Sequence, residues 1–207
     1  MFSNNLELAI DFYKDGGIYM FPILLVGLLG LAVILERVIY LFMQIRNINK
    51  DTVKVLSGDS KESSLIELTK NNKGVISECF MFYQQDNIHL TRDELENSVF
   101  ANMARPIRRL SKRVSFISTL ANVATLFGLL GTIMGLIQSF KVVSQAAGQD
   151  KIEALMSSVS IAMNTTAFGL MVAIPLLLLF VLVQNISNKA VDDLQSNVQR
   201  IINQFAR

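Results

Sequence analysis

The sequence predicts an all-α integral membrane protein with three transmembrane helices. Half of the residues are apolar (51%) and only 17% are charged, a balance expected when much of a 207-residue chain lies in lipid. Two long stretches, residues 114–140 and 154–188, contain no charged side chain. Helices of that length, rising about 1.5 Å per residue, exceed the roughly 30 Å hydrocarbon core of a bilayer, so both stretches can span it.

The first predicted span covers residues 18–43. The segment before it, residues 1–17, has no basic region ahead of the apolar run, which argues against a cleaved signal peptide. Charge interrupts the span only near its end, at Glu36 and Arg37. We expect both side chains to extend toward the lipid headgroups, as charged residues at the ends of spans commonly do.

A basic cluster directly before the second span predicts the orientation of the chain. Because such clusters stay in the cytoplasm, we expect the N-terminus outside and the C-terminus inside. Setting this topology is the favoured role of the cluster, and binding of anionic lipid is the alternative. Its members, with no acid among them, are Arg105, Arg108, Arg109, Lys112 and Arg113.

This orientation divides the chain into seven segments. They are a periplasmic N-terminal segment (1–17), transmembrane helix 1 (18–43), a cytoplasmic helical region (44–113), transmembrane helix 2 (114–140), a short periplasmic connection (141–153), transmembrane helix 3 (154–188) and a cytoplasmic C-terminal helix (189–207). In the cytoplasmic region, apolar residues such as Leu95, Val99 and Met103 recur at helical spacing. Thr91, followed by two acids, is typical of a helix start. We expect these helices to pack against cytoplasmic extensions of the spans.

Little in the sequence points to catalysis or to a bound cofactor. A single cysteine, Cys79, forms no internal disulfide, and a single histidine, His89, builds no metal site by itself. No nucleophile, base and orienting acid occur at a recognisable spacing, so we expect no enzyme and no cofactor. Nucleic-acid binding is not supported either, because the basic residues cluster at a membrane boundary rather than along an aromatic-rich face.

Polar and small residues follow regular stripes in the two uncharged spans. One stripe of the second span contains Ser118, Asn122, Thr125, Leu129 and Thr132, and a neighbouring stripe contains Gly128, Gly131 and Gly135. The third span has one such stripe of Ser158, Ala162, Thr165, Gly169 and Ala173, with Thr166 at its edge. Small residues let helix backbones approach closely, so the stripes predict tight interhelical seams. Pro175 removes a backbone hydrogen bond and predicts a kink in the third helix.

The stripes admit two interpretations. In the first, they only hold helices together, with each threonine hydroxyl bonded to a carbonyl of its own helix. In the second, the mid-depth threonines Thr132 and Thr166, with Asn122 on the same stripe as Thr132, line a hydrated path for ions. Neither span contains a charged side chain, so a titratable group for such a path must come from a partner.

Two motifs resemble the MotA/TolQ/ExbB channel family. They are LLGTIMGLIQSF at residues 129–140 and TAFGLMVAIP at residues 166–175. The resemblance extends over residues 105–202, and three spans with one large cytoplasmic region are similar to the ExbB and TolQ branch. It implies a homo-oligomeric ring, usually a pentamer, in the bacterial inner membrane. The ring would surround the single transmembrane helices of a partner dimer of the ExbD, TolR or MotB type.

The resemblance also implies a mechanism. The partner dimer supplies an aspartate, ions pass between it and threonines of the ring, and the flow of protons or sodium ions drives mechanical work on the periplasm or outer membrane. By motif position, Thr132 and Thr166 match the threonines of the two spans. Thr165, Asn164 and Ser158 are further candidates for the ion path. The competing interpretation is an oligomeric membrane scaffold that conducts no ions.

One position departs from the family pattern. ExbB and TolQ proteins commonly have a glutamate five residues before the threonine of the third span, and this chain has Ile161 there. Neutral oxygens such as those of Thr165 and Thr166 suit a hard cation, which keeps sodium coupling open. Proton coupling through the partner aspartate alone follows the family default and is slightly favoured. The biological output depends on the partner and stays open.

Overall fold

The computed structural model describes residues 18–57, 66, 69–70, 74–84, 91–145 and 150–205. The predicted segment 1–17 and His89 lie outside these residues. The described residues form helices and no strand. The helices are α1 (Met20–Ser57), α2 (Val75–Cys79), a 3₁₀ turn (Met81–Gln84), α3 (Arg92–Ser111), α4 (Val114–Gln145) and α5 (Asp150–Phe205).

Three helical segments are long and apolar enough to cross a membrane: Met20–Ser57, Arg92–Lys141 and Lys151–Gln204. This confirms the predicted all-α class and its three candidate spans. Helix α5 has 56 residues and does not end where the third apolar stretch ends. The predicted C-terminal helix is therefore the continuation of the third span. Within the predicted connection of residues 141–153, residues 141–145 and 150–153 are helical.

The chain divides into two compact units. Among the described residues, those within 18–34 and 115–181 form the apolar unit, and those within 35–114 and 182–205 form the polar unit. The polar unit has a core of its own, in which Leu95, Val99 and Met103 are buried as their spacing predicted. Cys79 is buried in the same unit, and this burial raises the pKa of its thiol to about 12. Such a thiol stays protonated at neutral pH and is a structural residue.

Helix α3 begins directly after Thr91, as predicted. The backbone N–H and the hydroxyl of Thr91 both donate to one carboxylate oxygen of Glu94, at 2.9 and 2.8 Å. This is the carboxylate half of a capping box, and it satisfies a donor that the start of a helix would otherwise leave unpaired. The hydroxyl, and then the backbone N–H, lower the pKa of Glu94 because both favour its charged form.

The lowered pKa of Glu94 predicts a pH dependence for the first turn of α3. Its contribution to stability is present above the ordinary glutamate pKa of about 4.3 and is lost as the pH falls through the lowered value. We expect amide hydrogen exchange of this turn, normalised to intrinsic rates, to accelerate in that range. Glu94→Gln should remove the dependence and Asp93→Asn should keep it. An unchanged pH profile in Glu94→Gln would contradict the capping role.

Arg37 does not extend toward lipid headgroups as the sequence predicted. Its side chain is buried, with 4% exposed, and one guanidinium nitrogen donates to the carbonyl oxygens of Arg109 and Leu110, each at 3.0 Å. The last carbonyls of α3 have no partner within the helix, and a cation there also interacts favourably with the helix dipole. Arg37 therefore caps α3. Glu36 is exposed and forms an ion pair with Arg113 at 2.8 Å.

The carbonyl of Leu110 joins three helices within the polar unit. It accepts hydrogen bonds from Arg37 of α1 and from the buried hydroxyl of Ser187 of α5, at 3.0 and 3.1 Å. We call these three residues the Leu110 junction. Each uncharged stretch of the sequence ends close to one of its members: the first at Leu35, the second at Val114 and the third at Asn188. Along the chain, all three apolar stretches therefore stop within a few residues of a member of the junction.

The two bonds of Arg37 predict that lysine cannot replace it without loss. Arg37→Lys keeps the charge, but its shorter side chain lacks the planar group that carries the donating nitrogen to both carbonyls, so we expect loss of one charge-assisted hydrogen bond, about 2 kcal/mol, from the free energy of unfolding. Thermal unfolding of the purified protein in detergent measures this loss. Arg46→Lys, an exposed position on the same helix, is the matched control. Equal midpoints for the two variants would contradict the capping role of Arg37.

Candidate ion path

A seam of small residues joins α4 and α5 in the apolar unit. A Cβ placed on Gly128 would lie 3.3 Å from the Cα of Thr166 and 3.4 Å from the Cα of Gly169. Farther along, Gly131 faces the side chain of Thr165, and Gly135 faces Ala162. The two backbones approach so closely because glycine on α4 meets glycine, alanine or threonine on α5.

Thr166 connects the two helices directly. Its hydroxyl donates to the carbonyl oxygen of Gly128 at 2.8 Å. Thr132 and Thr165 instead donate within their own helices, to Leu129 at 2.7 Å and to Ile161 at 2.9 Å. A hydroxyl has one hydrogen and two lone pairs, so the oxygens of Thr132 and Thr166, whose hydrogens are committed in this way, have the capacity to accept a hydrogen bond or to bind a cation.

The contacts of the seam place the threonines at one depth. Gly131 faces Thr165, and Thr132 is the next residue of α4 after Gly131. Gly128, one turn away, faces Thr166. Thr132 is half-buried at the edge of the seam, as Thr166 is. The two threonines chosen by motif position therefore lie on neighbouring helices at a similar level.

The other predicted path residues lie in different surroundings. Thr165 is only 1% exposed and packs against Gly131, so it is part of the seam. Ser158 is half-buried. Asn164 lies about 200° around the helix from Ala162, because each helical residue turns by about 100°. It lines a shallow cavity of about 450 Å³ with Leu155, Met156, Val159, Ser160 and Met163. The structure therefore does not bring Asn164 together with Thr165 and Thr166.

The predicted packing residues of α5 also lie in different surroundings, some in the seam and one outside it. Ala162 and Ala173 are each 2% exposed, and Gly169 is buried between them. A Cβ on Gly169 would lie 2.9 Å from the carbonyl oxygen of Ala124. Pro175 is on the exposed side of α5, outside the seam, and the helix continues through it. The small residues of this stripe therefore pack in the seam, and the proline of the same helix lies outside it.

A second seam, which the sequence analysis did not identify, joins α1 to α5. A Cβ on Gly27 would lie 2.8 Å from a methyl of Val172, and a Cβ on Gly30 would lie 2.9 Å from a methyl of Leu176. Helix α5 is therefore packed by both of the other helices of the apolar unit. The sequence signal for this seam was the pair of glycines three residues apart, because they leave two neighbouring positions of one helix face without a side chain.

The polar stripe of α4 lies partly at the surface of the apolar unit. Asn122 is exposed, Thr125 is half-buried and its hydroxyl donates to Ala121 at 3.0 Å. On α5, Ile161 occupies the position of the family glutamate and is 41% exposed. Exposed amides are costly in lipid, so this surface suits contact with another chain or with water.

The chemistry of this region is that of neutral oxygens. Within the parts of the chain that the structure describes, no cluster of three or more His, Cys, Asp or Glu side chains is arranged to hold a metal ion. The seam offers hydroxyl and carbonyl oxygens at one depth and no titratable side chain. It can stabilise a passing cation or a protonated water, but the charge change of a proton carrier must be supplied from outside the chain.

Comparison with known proteins identifies the family of this chain. Residues 73–196 match the model of the MotA/TolQ/ExbB proton channel family. The ExbB-like 1 biopolymer transport protein of Synechocystis sp. is 26% identical over 197 residues, which are 93% of this chain and 77% of that protein. ExbB of Aquifex aeolicus is 34% identical over 94 residues, 45% of this chain and 63% of that protein.

A TolQ protein gives a shorter match. TolQ of the Tol-Pal system of Haemophilus influenzae is 37% identical over 73 residues, 35% of this chain and 32% of that protein. The family match covers well over half of the chain, including α3, α4 and most of α5, and therefore includes both threonine motifs. The chain belongs to the MotA/TolQ/ExbB proton channel family.

Proposed function

We propose that this chain is the ring-forming subunit of an ion-driven motor in the bacterial inner membrane. In this proposal it works with a single-span partner dimer of the ExbD or TolR type and couples ion flow to mechanical work on the periplasm or outer membrane. The family match and the three apolar helices support the channel role. The observation that carries the proposal is the pair Thr132 and Thr166, with committed hydroxyl hydrogens at one depth.

The proposed chemistry is reversible transfer of an ion along oxygens. Because the hydroxyl hydrogens of Thr132 and Thr166 are bonded to carbonyls, both oxygens present lone pairs. Such oxygens accept a hydrogen bond from a protonated partner aspartate or from a hydrated cation. The aspartate changes charge and the threonines do not, so the ring provides a fixed polar track and the partner carries the titration.

The proposed orientation places the N-terminus outside and the C-terminus in the cytoplasm. The basic cluster supports it, because all five of its members are exposed, at the end of α3 or directly after it. In this orientation the Leu110 junction lies at the cytoplasmic surface of the bilayer. In this proposal the first and third spans continue into the cytoplasm within helices α1 and α5, as the expected cytoplasmic extensions.

The proposed ring contains several copies of the chain, five by the family pattern. Exposed polar residues of the apolar unit, such as Asn122, would be covered by neighbouring copies or would face the path. Counting subunits in the purified assembly, by native mass spectrometry, tests this part of the proposal. A stable monomer in the presence of the partner would contradict it.

The identity of the ion is open to a direct experiment. The chain has Ile161 in place of the family glutamate, but a partner aspartate can carry protons alone, so we expect proton coupling. Activity of the chain with its partner should persist when potassium replaces sodium in the buffer and should stop when a protonophore collapses the proton gradient. Loss of activity in sodium-free buffer, restored by sodium, would contradict proton coupling and assign the threonine oxygens to sodium.

A scaffold without conduction is the second candidate. Its support is that Thr125 and Thr165 donate to carbonyls of their own helices, as threonines that only pack commonly do. The two candidates differ in the expected effect of removing the Thr166 hydroxyl, since a scaffold needs only the assembled ring.

A further inference from the structure

The C-terminal end of α3 forms a shallow groove with a strongly basic lining. Its volume is about 460 Å³. The lining residues are Arg105, Arg108, Arg109, Ser111 and Lys112. Four of these five side chains are cationic and none is acidic, which is a composition suited to an anion with several oxygens.

Most of the charge in this groove is not compensated within the chain. Arg109 forms an ion pair with Glu78 at 2.7 Å. Arg105, Arg108 and Lys112 are exposed and form no ion pair with any residue that the structure describes. They follow one another at steps of three and four residues, so their side chains lie along one face at the end of the helix.

The position of the groove selects the kind of anion. Ser111 follows Leu110, whose carbonyl is the centre of the Leu110 junction. All three uncharged stretches of the sequence end at this junction, so it lies where hydrocarbon gives way to lipid headgroups. An anion at that level meets headgroup phosphates at a far higher local concentration than soluble phosphate.

We propose that this groove binds the phosphodiester headgroup of an anionic phospholipid. Two arginines present planar forks that match phosphate oxygens, and Lys112 adds a point charge nearer the second span. Glu78 lies beside the groove, but its ion pair with Arg109 limits its repulsion of the lipid. The site is separate from the ion path and does not depend on the proposed motor function.

Lipid binding by the purified full-length protein tests the proposal. Native mass spectrometry in detergent, with added phosphatidylglycerol or phosphatidylcholine, counts retained lipids. We expect selective retention of phosphatidylglycerol. The triple variant Arg105→Gln, Arg108→Gln, Lys112→Gln should bind it at least about tenfold more weakly, since each basic residue near a membrane surface contributes measurably to the attraction. Arg109 and Arg113 remain in place to maintain the orientation.

A matched triple variant removes the same charge elsewhere. Lys50→Gln, Lys54→Gln, Arg200→Gln changes three exposed residues of the polar unit outside the groove and should bind phosphatidylglycerol as the unchanged protein does. Equal retention by both variants would overturn the proposal, as would equal retention of phosphatidylcholine. Displacement of the lipid by millimolar inorganic phosphate would assign the groove to a soluble anion instead.

A measurement on the unchanged protein tests the proposal even if a variant fails to fold. Raising the salt concentration screens the interaction, so retention of phosphatidylglycerol should decrease steeply between low and high ionic strength. Retention that does not depend on salt would overturn the proposed role of the arginines. The variant Arg105→Lys, Arg108→Lys keeps the charge but removes both planar forks, so it should retain less phosphatidylglycerol than the unchanged protein and more than the triple variant. Retention as low as that of the triple variant would overturn the role of charge, and retention equal to that of the unchanged protein would overturn the role of the forks.

Discussion

Thr166→Val is expected to reduce the ion-driven output of the assembled complex by about tenfold to a hundredfold, the loss that corresponds to one hydrogen bond to a charged group. Valine has nearly the same shape as threonine and lacks the hydroxyl. The bond from Thr166 to Gly128 also joins α4 and α5, but interhelical bonds in membranes average only about 0.6 kcal/mol, so assembly should persist. Output is measured with the partner present, and assembly by native mass spectrometry.

Thr119→Val is the matched control for this prediction. Its hydroxyl also donates to a helix carbonyl, that of Ser115 at 3.2 Å, but it is exposed and lies outside the seam. Its replacement should leave output unchanged, and Thr166→Ser should preserve most of the output because it keeps the oxygen. Full activity of Thr166→Val in an intact ring would support the scaffold in place of the ion path.

Gly169→Ala is expected to cause a large loss of stability for a small substitution in the seam. The added Cβ would lie 2.9 Å from the carbonyl oxygen of Ala124 and 3.0 Å from the Cα of Gly128. Both are backbone atoms and cannot rotate away, so the two helices must separate. Overpacking of this kind costs about 2–3 kcal/mol, and a lower midpoint of thermal unfolding in detergent would report it.

Gly30→Ala provides the comparison within the same unit. Its Cβ would lie 2.9 and 3.0 Å from the two methyl groups of Leu176, which is nearly the same distance as at Gly169. The methyls belong to a flexible side chain that can adopt another rotamer, so we expect a clearly smaller decrease of the midpoint. Equal decreases would show that the backbone contact at Gly169 is not the limiting one.

The seam could be predicted from the sequence because its signal is local. Gly128, Gly131 and Gly135 recur at helical spacing, and the small residues of the third span do the same, so packing of the two stripes follows from helix geometry. The continuity of α5 was less evident. The hydropathy falls after Asn188, but no glycine or proline follows to end the helix, and a change of solvent alone does not end one.

The role of Arg37 could not be predicted, because it depends on a partner that is distant in sequence. The acceptors are backbone carbonyls of α3. Every residue has such a carbonyl, so the residue types do not indicate which of them accepts a bond from Arg37. Asn164 illustrates the opposite limit. It directly precedes Thr165 in sequence, but each step along a helix turns the side chain by about 100°, so the two side chains lie on different faces.

The three members of the Leu110 junction are synthesised at widely separated times. The carbonyl of Leu110 lies 73 residues after Arg37 and 77 residues before Ser187, so Arg37 is made first, Leu110 second and Ser187 last. At roughly 5–20 residues per second, Arg37 emerges several seconds before its acceptors. During that interval its charge lacks the carbonyls that later enclose it, and only the neighbouring Glu36 and Tyr40 of its own helix are already made.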